Sequence, residues 1–315
     1  MRLFSTEQVS KYHSDKYADQ ISDAILDSCL KEDKRSRVAC ETMVKGNTII
    51  LAGEITTSAN VDYCEVASRV ARKLGYKADH ILTYIETQSP EIAGGIREGE
   101  DLGAGDQGMM YGYACNETES MLPFGFDLAN KIIAAIERDV ETNTDTVFKG
   151  DAKCQVTVDL DEAPTMESVK KILVSACHQE GVVLECVQHA IHEILWECGI
   201  DTKKVEVIAN HAGTWTIGGP SADCGLTGRK IVCDVVKLYD LKWAEVQIAY
   251  AIGQSQPMSV NVKTNRPELD AGIASYVLNT YKLTPSGIIQ TLDLLNVNYE
   301  KLAEGCHYRG GASEQ

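Results

Sequence analysis

With 315 residues, a formal net charge of −16, 44% apolar and 24% charged residues, the chain has the make-up of a globular protein large enough for several subdomains. The acid excess excludes nucleic acid and anionic membrane surfaces as main partners, since both demand a broad basic footprint. A small phosphate ligand, held by a few local cations and a bound metal, remains compatible with it. No run approaches the ~18 apolar residues of a membrane span, the opening Met1 to Glu7 lacks an apolar signal core, and the eleven cysteines include no C-x-x-C pair. Neither a zinc site nor a disulfide framework is indicated, and a reducing cytoplasm is the expected setting.

In chain order, Ala18, Ile21, Ile25 and Cys29 recur at helical spacing and predict a helix from Asp15 to about Leu30. Val38–Val44 and Thr48–Thr57 read as strands joined by the short connection Lys45-Gly46-Asn47, and Val61–Leu74 as a helix stopped by Gly75. The strand-then-helix order recurs, with a strand over Cys154–Leu160 and helices over Met166–Gln179 and Val187–Glu197. It recurs again from Ala244, with strands at 246–250 and 258–262 and helices at Glu268–Thr280 and Gly287–Leu295. The reading is an α+β protein of three similar subdomains, each laying helices on one face of a mostly antiparallel sheet, divided at about 1–115, 116–232 and 233–315. Between the first two lies the Gly-rich stretch Gln88–Gly108, either an active-site lid or a flexible linker.

Four features carry chemistry. Gly218–Lys230 runs from backbone-exposing glycines into the adjacent cations Arg229 and Lys230, the outline of a polyanion site or else a solvated loop. Ser10-Lys11-Tyr12-His13-Ser14-Asp15-Lys16 sets an imidazole, a carboxylate and an ammonium before a helix. It suits a metal-nucleotide, although Asp15 as an N-cap and His13 as a loop residue would look the same. Glu41 and Glu54 interrupt apolar strands; each is either buried against a cation or turned to solvent. Asp151 and Lys153, and Asp106 within Gly103–Gly108, add acids and a base beside flexible backbone, which alone would be turns.

Taken together and in order, Asp15-Lys16 with Ala18-Asp19-Gln20-Ile21-Ser22-Asp23-Ala24, Ala39–Thr42, Gly53–Ala59, Gln88-Ser89-Pro90, Gly103–Gly108, Asp151-Ala152-Lys153, Gly218-Gly219-Pro220, Asp223–Lys230 and Tyr250–Gly253 resemble the S-adenosylmethionine synthetases. The resemblance continues to Gln290–Leu295. It implies pseudo-threefold symmetry, a homodimer or a pair of dimers forming a tetramer, with shared active sites, and attack of methionine sulfur on C5′ of ATP. Tripolyphosphate leaves and is hydrolysed to pyrophosphate and phosphate. Mg²⁺, two ions per site, and K⁺ are the implied cofactors. By position, His13 would assist departure of the leaving group, Asp15 would ligate Mg²⁺ and Glu41 K⁺. Glu54, Gln88 and Asp106 would bind methionine, the last through its ammonium. Asp151, Lys153, Asp223, Arg229 and Lys230 would hold ATP, with Trp215 stacked on adenine. Lys153, Asp106, Arg229 and Lys230 join His13 as the implied catalytic groups.

The departures from the family pattern are equally specific. Ser14 stands where the family has proline, and Thr214-Trp215 where it has an Arg-aromatic pair. Val235 to Trp243 replaces a Gly-rich segment that carries two phosphate-binding lysines and an aspartate, leaving Lys237 or Lys242 as candidate substitutes. The regions near His80 and after Tyr299 are short. A catalytically silent subunit of a complete synthetase is therefore the alternative reading, and a different nucleotide or methionine analogue a third.

Overall fold

The computed structural model describes residues 1–87, 102–228 and 241–305. In chain order the elements are β1 (Leu3–Val9), α1 (Ser14–Glu32), β2 (Arg37–Lys45), β3 (Thr48–Thr56), α2 (Tyr63–Lys73), β4 (His80–Glu86) and β5 (Gly108–Cys115). The central part adds α3 (Phe124–Thr142), β6 (Phe148–Asp159), β7 (Val169–His178), α4 (Leu184–Glu197), β8 (Glu206–Ala209), the single turn α5 (Gly219–Ala222) and β9 (Gly225–Leu226). The last part holds β10 (Trp243–Tyr250), β11 (Ser259–Thr264), α6 (Asp270–Thr280), α7 (Pro285–Thr291) and α8 (Tyr299–Glu304).

These strands form three sheets, ordered β1-β6-β7-β8, β4-β3-β2-β9 and β11-β10-β5. All pairings are antiparallel except β3 with β4 and β7 with β8. Each sheet has its own apolar core beneath helices: α3 and α4 on the first, α1 and α2 on the second, and α6 on the third. The α+β architecture expected from the sequence is the one observed. Three strands cross between units, since β1 pairs with β6, β5 with β10 and β9 with β2.

The local reasons are visible in the residues. The Gly46-Asn47 connection closes the β2–β3 hairpin with Lys45 opposite Thr48, and Gly46 adopts φ +60°, the left-handed geometry that a tight hairpin turn favours. Helix α1 buries Ala18, Ile21, Ala24, Ile25 and Cys29 on the second sheet. One expectation is corrected: Val169–His178 is a strand, preceded by a 3₁₀ turn at Met166–Ser168. Val169, Ile172, Leu173 and Ala176 fall at helical spacing by coincidence. A register shift beside Thr157/Val158 displaces Val169, after which Ile172, Val174 and Ala176 alternate inward. Helix α3, β1, β4 and β5 carry no assignment in the sequence reading and complete the sheets.

Candidate functional site

The start of α1 is an unusual helix end because its polar residues are buried. Ser10, His13, Ser14, Asp15, Lys16, Asp19 and Gln20 are all less than a tenth exposed. Such a row is tolerable only if its groups are satisfied. The His13 imidazole caps the helix, its Nδ1 accepting the Asp15 N–H at 3.1 Å, which places the ring proton on Nε2 of the neutral form. Lys16 pairs with Asp19 at 3.2 Å, and Gln20 donates to the carbonyls of Lys11 and Lys16.

Three further segments close on this end. Strand β6 is tied to it by Ser10, whose N–H donates to the Ala152 carbonyl at 2.9 Å while its hydroxyl accepts the Ala152 N–H at 3.1 Å. This sets Asp151 and Lys153 beside His13. Asp151 is 5% exposed; its Oδ2 accepts the Gly219 N–H at 2.6 Å and its Oδ1 has no hydrogen-bond partner among the described residues. Burial pushes its carboxyl up to about 6, against the Gly219 N–H and Lys153, with Asp223 adding to the rise. A buried acid aimed at a glycine turn, with one oxygen unsatisfied, is the mark of a group whose partner arrives with a ligand.

The segment from Trp215 to Gly228 forms the remaining wall. The Trp215 N–H donates to His178 Nε2 at 3.1 Å, and the His178 N–H returns a bond to the Trp215 carbonyl at 2.9 Å. Further along, the Leu226 N–H donates to Asp15 Oδ1 at 3.1 Å and the Gly228 N–H to Asp19 Oδ1 at 2.9 Å. Gly225 passes so close to α1 that a Cβ there would lie 2.0 Å from the Ser14 carbonyl oxygen. Asp223 is exposed at the rim, its Oδ1 accepting the Cys224 N–H. The structure thus brings His13, Asp15, Asp151, Lys153, Trp215 and Asp223 around one cradle. Arg229 and Lys230, next in sequence, lie outside the described residues, as do Gln88 and Lys237. Lys242 is exposed just before β10, which belongs to a different sheet from the strand that carries Lys153.

The other candidates sit elsewhere. Glu41 and Glu54 both point from the exposed face of the second sheet, so of the two sequence readings the solvent-facing one holds within the chain. The register sets Glu54 directly opposite Glu86 of β4, with Met43, Leu82 and Tyr84 on the same face; Tyr84 is 65% exposed. Two like charges opposed on an apolar face repel unless a cation intervenes. Asp106 is also exposed, its Oδ1 accepting the Gln107 N–H just before β5. Sequence reading missed Asp19, Glu86 and His178. None of the three had a usable signal: His80–Glu86 reads polar-apolar-apolar-polar-apolar-apolar-polar, without the alternation that marks a strand.

These residues suit magnesium better than a caged metal. Among the described residues no group of three or more His, Cys, Asp or Glu is placed to hold a metal ion. Mg²⁺ needs no such group, being held by one or two carboxylates together with substrate phosphates, and buried Asp15 supplies one.

Three family models match consecutive stretches of the chain: the N-terminal, central and C-terminal domains of S-adenosylmethionine synthetase, over residues 1–97, 101–215 and 234–313. The chain belongs to the S-adenosylmethionine synthetase family. S-adenosylmethionine synthases of Salinibacter ruber and Mycoplasmopsis synoviae are 35% and 36% identical to it, over 97% and 98% of this chain and 93% and 92% of the relatives. A solved structure described as an unusual S-adenosylmethionine synthetase from Campylobacter jejuni superposes with a TM-score of 0.83 at 26% identity, covering 97% of this chain and 94% of that one. The alignment with the Salinibacter synthase spans 358 positions against a chain of 315 residues, so the relative carries residues that this chain lacks. The synthetase fold places the cradle between the first and second sheets, with β9 and the Gly219 turn as its bridge.

Proposed function

We propose that this chain makes S-adenosylmethionine from ATP and methionine. The observation that carries this is the cradle itself, in a member of the synthetase family: a helix N-terminus, a buried unsatisfied carboxylate and a lysine converge on a glycine turn, the arrangement that receives a phosphorylated nucleoside. In the reaction a sulfur lone pair forms the S–C5′ bond as the C5′–O bond breaks. The sulfur becomes a sulfonium, the leaving oxygen takes the electron pair, and no proton is transferred. Catalysis therefore rests on positioning and on stabilising charge at the tripolyphosphate.

In this reading Lys153 and His13 face that developing charge, with Arg229 and Lys230 beside them. Asp151 and Asp223 orient the nucleoside, and Trp215 stacks on adenine. Asp15 would hold Mg²⁺, two ions per site being expected, whose bound charge neutralises phosphate oxygens. Glu54, Gln88 and Asp106 would bind methionine, and Glu41 would hold K⁺. Since Glu41, Glu54 and Asp106 are exposed and away from the cradle in the single chain, the reading includes a homodimer whose second copy brings these groups to it; pairing of dimers into a tetramer is a further step. The division at 1–115, 116–232 and 233–315 belongs to the same proposal, with β1, β5 and β9 exchanged between units. No helix among the described residues is long and apolar enough to cross a membrane, and a cytoplasmic enzyme is proposed.

The test is mass spectrometry of the products after incubation with ATP, methionine, Mg²⁺ and K⁺, with Lys153→Ala as control. S-adenosylmethionine formed by the wild type and lost in the variant supports the reading. Saturable ATP binding without product would turn it into the silent subunit that the replaced Gly-Lys segment suggests. Free tripolyphosphate building up ahead of pyrophosphate is the expected consequence of the cations missing from Val235–Trp243.

A further inference from the structure

We infer that Tyr76 is a positioning residue for ATP, holding the His13 loop and the Gly219 turn at a fixed separation; this rests on reading the cradle as the ATP site. Its place is set by how α2 ends. Gly75, at φ +76°, stops the helix with its N–H on the Arg72 carbonyl, and the Tyr76 N–H bonds the Ala71 carbonyl at 2.9 Å. This paired termination turns the chain back and sends the Tyr76 side chain into the core instead of solvent.

The side chain then spans the two halves of the cradle. Its hydroxyl donates to the carbonyl of Tyr12, the residue before the His13 cap. Its outer edge lies against Gly219, where a Cβ would meet the Tyr76 hydroxyl at 2.2 Å and Cζ at 2.5 Å. Gly219 has φ +57° and donates its N–H to Asp151. No side chain larger than hydrogen fits between Tyr76 and the Gly219–Asp151 bond. Tyr17 backs the ring at a centroid distance of 5.1 Å, which fixes the tilt. One phenol, contributed by a helix outside the cradle, therefore sets the gap between the imidazole and the glycine turn.

Tyr17 supplies the internal control. Its ring belongs to the same pair, yet its buried hydroxyl has no hydrogen-bond partner among the described residues. The experiment compares Tyr76→Phe and Tyr17→Phe with the wild type. Affinity for the β,γ-imido analogue of ATP with Mg²⁺ is read by calorimetry, methionine KM by steady-state kinetics and Tm by scanning calorimetry. Loss of one positioning hydrogen bond predicts affinity for the analogue about fivefold or more weaker in Tyr76→Phe. Methionine KM should stay within twofold, and Tyr17→Phe should bind the analogue as the wild type does. Unchanged analogue affinity in Tyr76→Phe would overturn the inference, as would equal losses in both variants or a loss that tracks Tm. Lys153→Ala separates the two levels: if it loses activity while Tyr76→Phe binds normally, only Tyr76 is misassigned, whereas a fully active Lys153→Ala removes the ATP assignment beneath it.

Discussion

The cradle at the start of α1 and the outer face of the second sheet both collect acidic groups, under opposite conditions. In the cradle, Asp15, Asp19 and Asp151 are buried and bonded to the backbone N–H groups of Leu226, Gly228 and Gly219, all from one segment. On the sheet, Glu41, Glu54 and Glu86 stand exposed among Met43, Leu82 and Tyr84. The first region is organised by the chain alone and is ready for a ligand. The second acquires its chemistry only when another surface covers it, because exposed carboxylates in ~80-dielectric solvent neither select a cation nor hold an ammonium firmly.

The largest effects should come from the cradle's chemistry. If Lys153 faces the leaving tripolyphosphate as proposed, replacing it by Ala removes a charge-stabilising group, and kcat should fall about 100- to 1,000-fold. Because Lys153 occupies a half-buried strand position and its side chain is not part of the apolar core, Tm should hardly move. A variant that loses Tm in proportion to activity would show that the cradle is a packing feature. Next is Gly225→Ala. The intruding Cβ meets a backbone oxygen, the Ser14 carbonyl at 2.0 Å, which cannot rotate away. A loss of about 3 kcal/mol in urea unfolding is expected, the upper end of overpacking costs. Gly46→Ala, where a Cβ meets nothing within 4 Å, should cost less despite φ +60°, and equal losses would show that close approach is not what requires glycine at 225.

Asp151 gives a pH-dependent test. Its folded carboxyl is raised from 3.8 to about 6, chiefly by burial. The folded state therefore holds the proton more tightly than the unfolded chain. The stability this contributes is complete below 3.8 and disappears as pH rises through about 6, after which the protein bears a buried charge. Asp151→Asn should be more stable than the wild type at pH 8, by about 3 kcal/mol at roughly 1.4 kcal/mol per unit, and no more stable near pH 3.5. It should lose ATP affinity at the same time. A gain independent of pH would mean the carboxylate is not strained by its burial.

What could be read from the sequence follows the same contrast. The α1 and β2–β3 elements were legible because their apolar periods are clean and their turn chemistry local. The cradle's members were legible only through resemblance to the synthetases, since no spacing joins Asp15 to Leu226 or Asp151 to Gly219. Strand β7 reads as a helix because Val169, Ile172, Leu173 and Ala176 happen to recur at helical spacing, while the register shift that turns Val169 inward has no trace in the sequence. The exposed setting of Glu54 was undecidable from an apolar run that buries Ile55, Leu51 and Ile49 but not the glutamate among them. Its pairing with Glu86 depends on a parallel crossover through α2, invisible to any local pattern.

The smallest effects on the single chain should come from the exposed face, and these decide whether a second copy covers it. Glu54→Gln removes a charge facing another charge, so unfolding stability should change by no more than about 0.5 kcal/mol, as for surface substitutions generally. Methionine KM should nevertheless rise if the partner's cradle borrows this carboxylate. Tyr84→Asp adds a carboxylate to the same strip, between Leu82 and Glu86 on β4. Sedimentation should then show monomer at concentrations where the wild type is dimeric, since a charge buried in an apolar interface is costly unless paired. Mixing inactive Tyr84→Asp with inactive Lys153→Ala should not restore activity, because a shared site needs the contact that Tyr84→Asp breaks. A Tyr84→Asp monomer with full activity would place the methionine groups within one chain and end the case for a shared site, whereas restoration on mixing would mean that the two chains complement each other across a shared site and that Tyr84 is not essential to the contact.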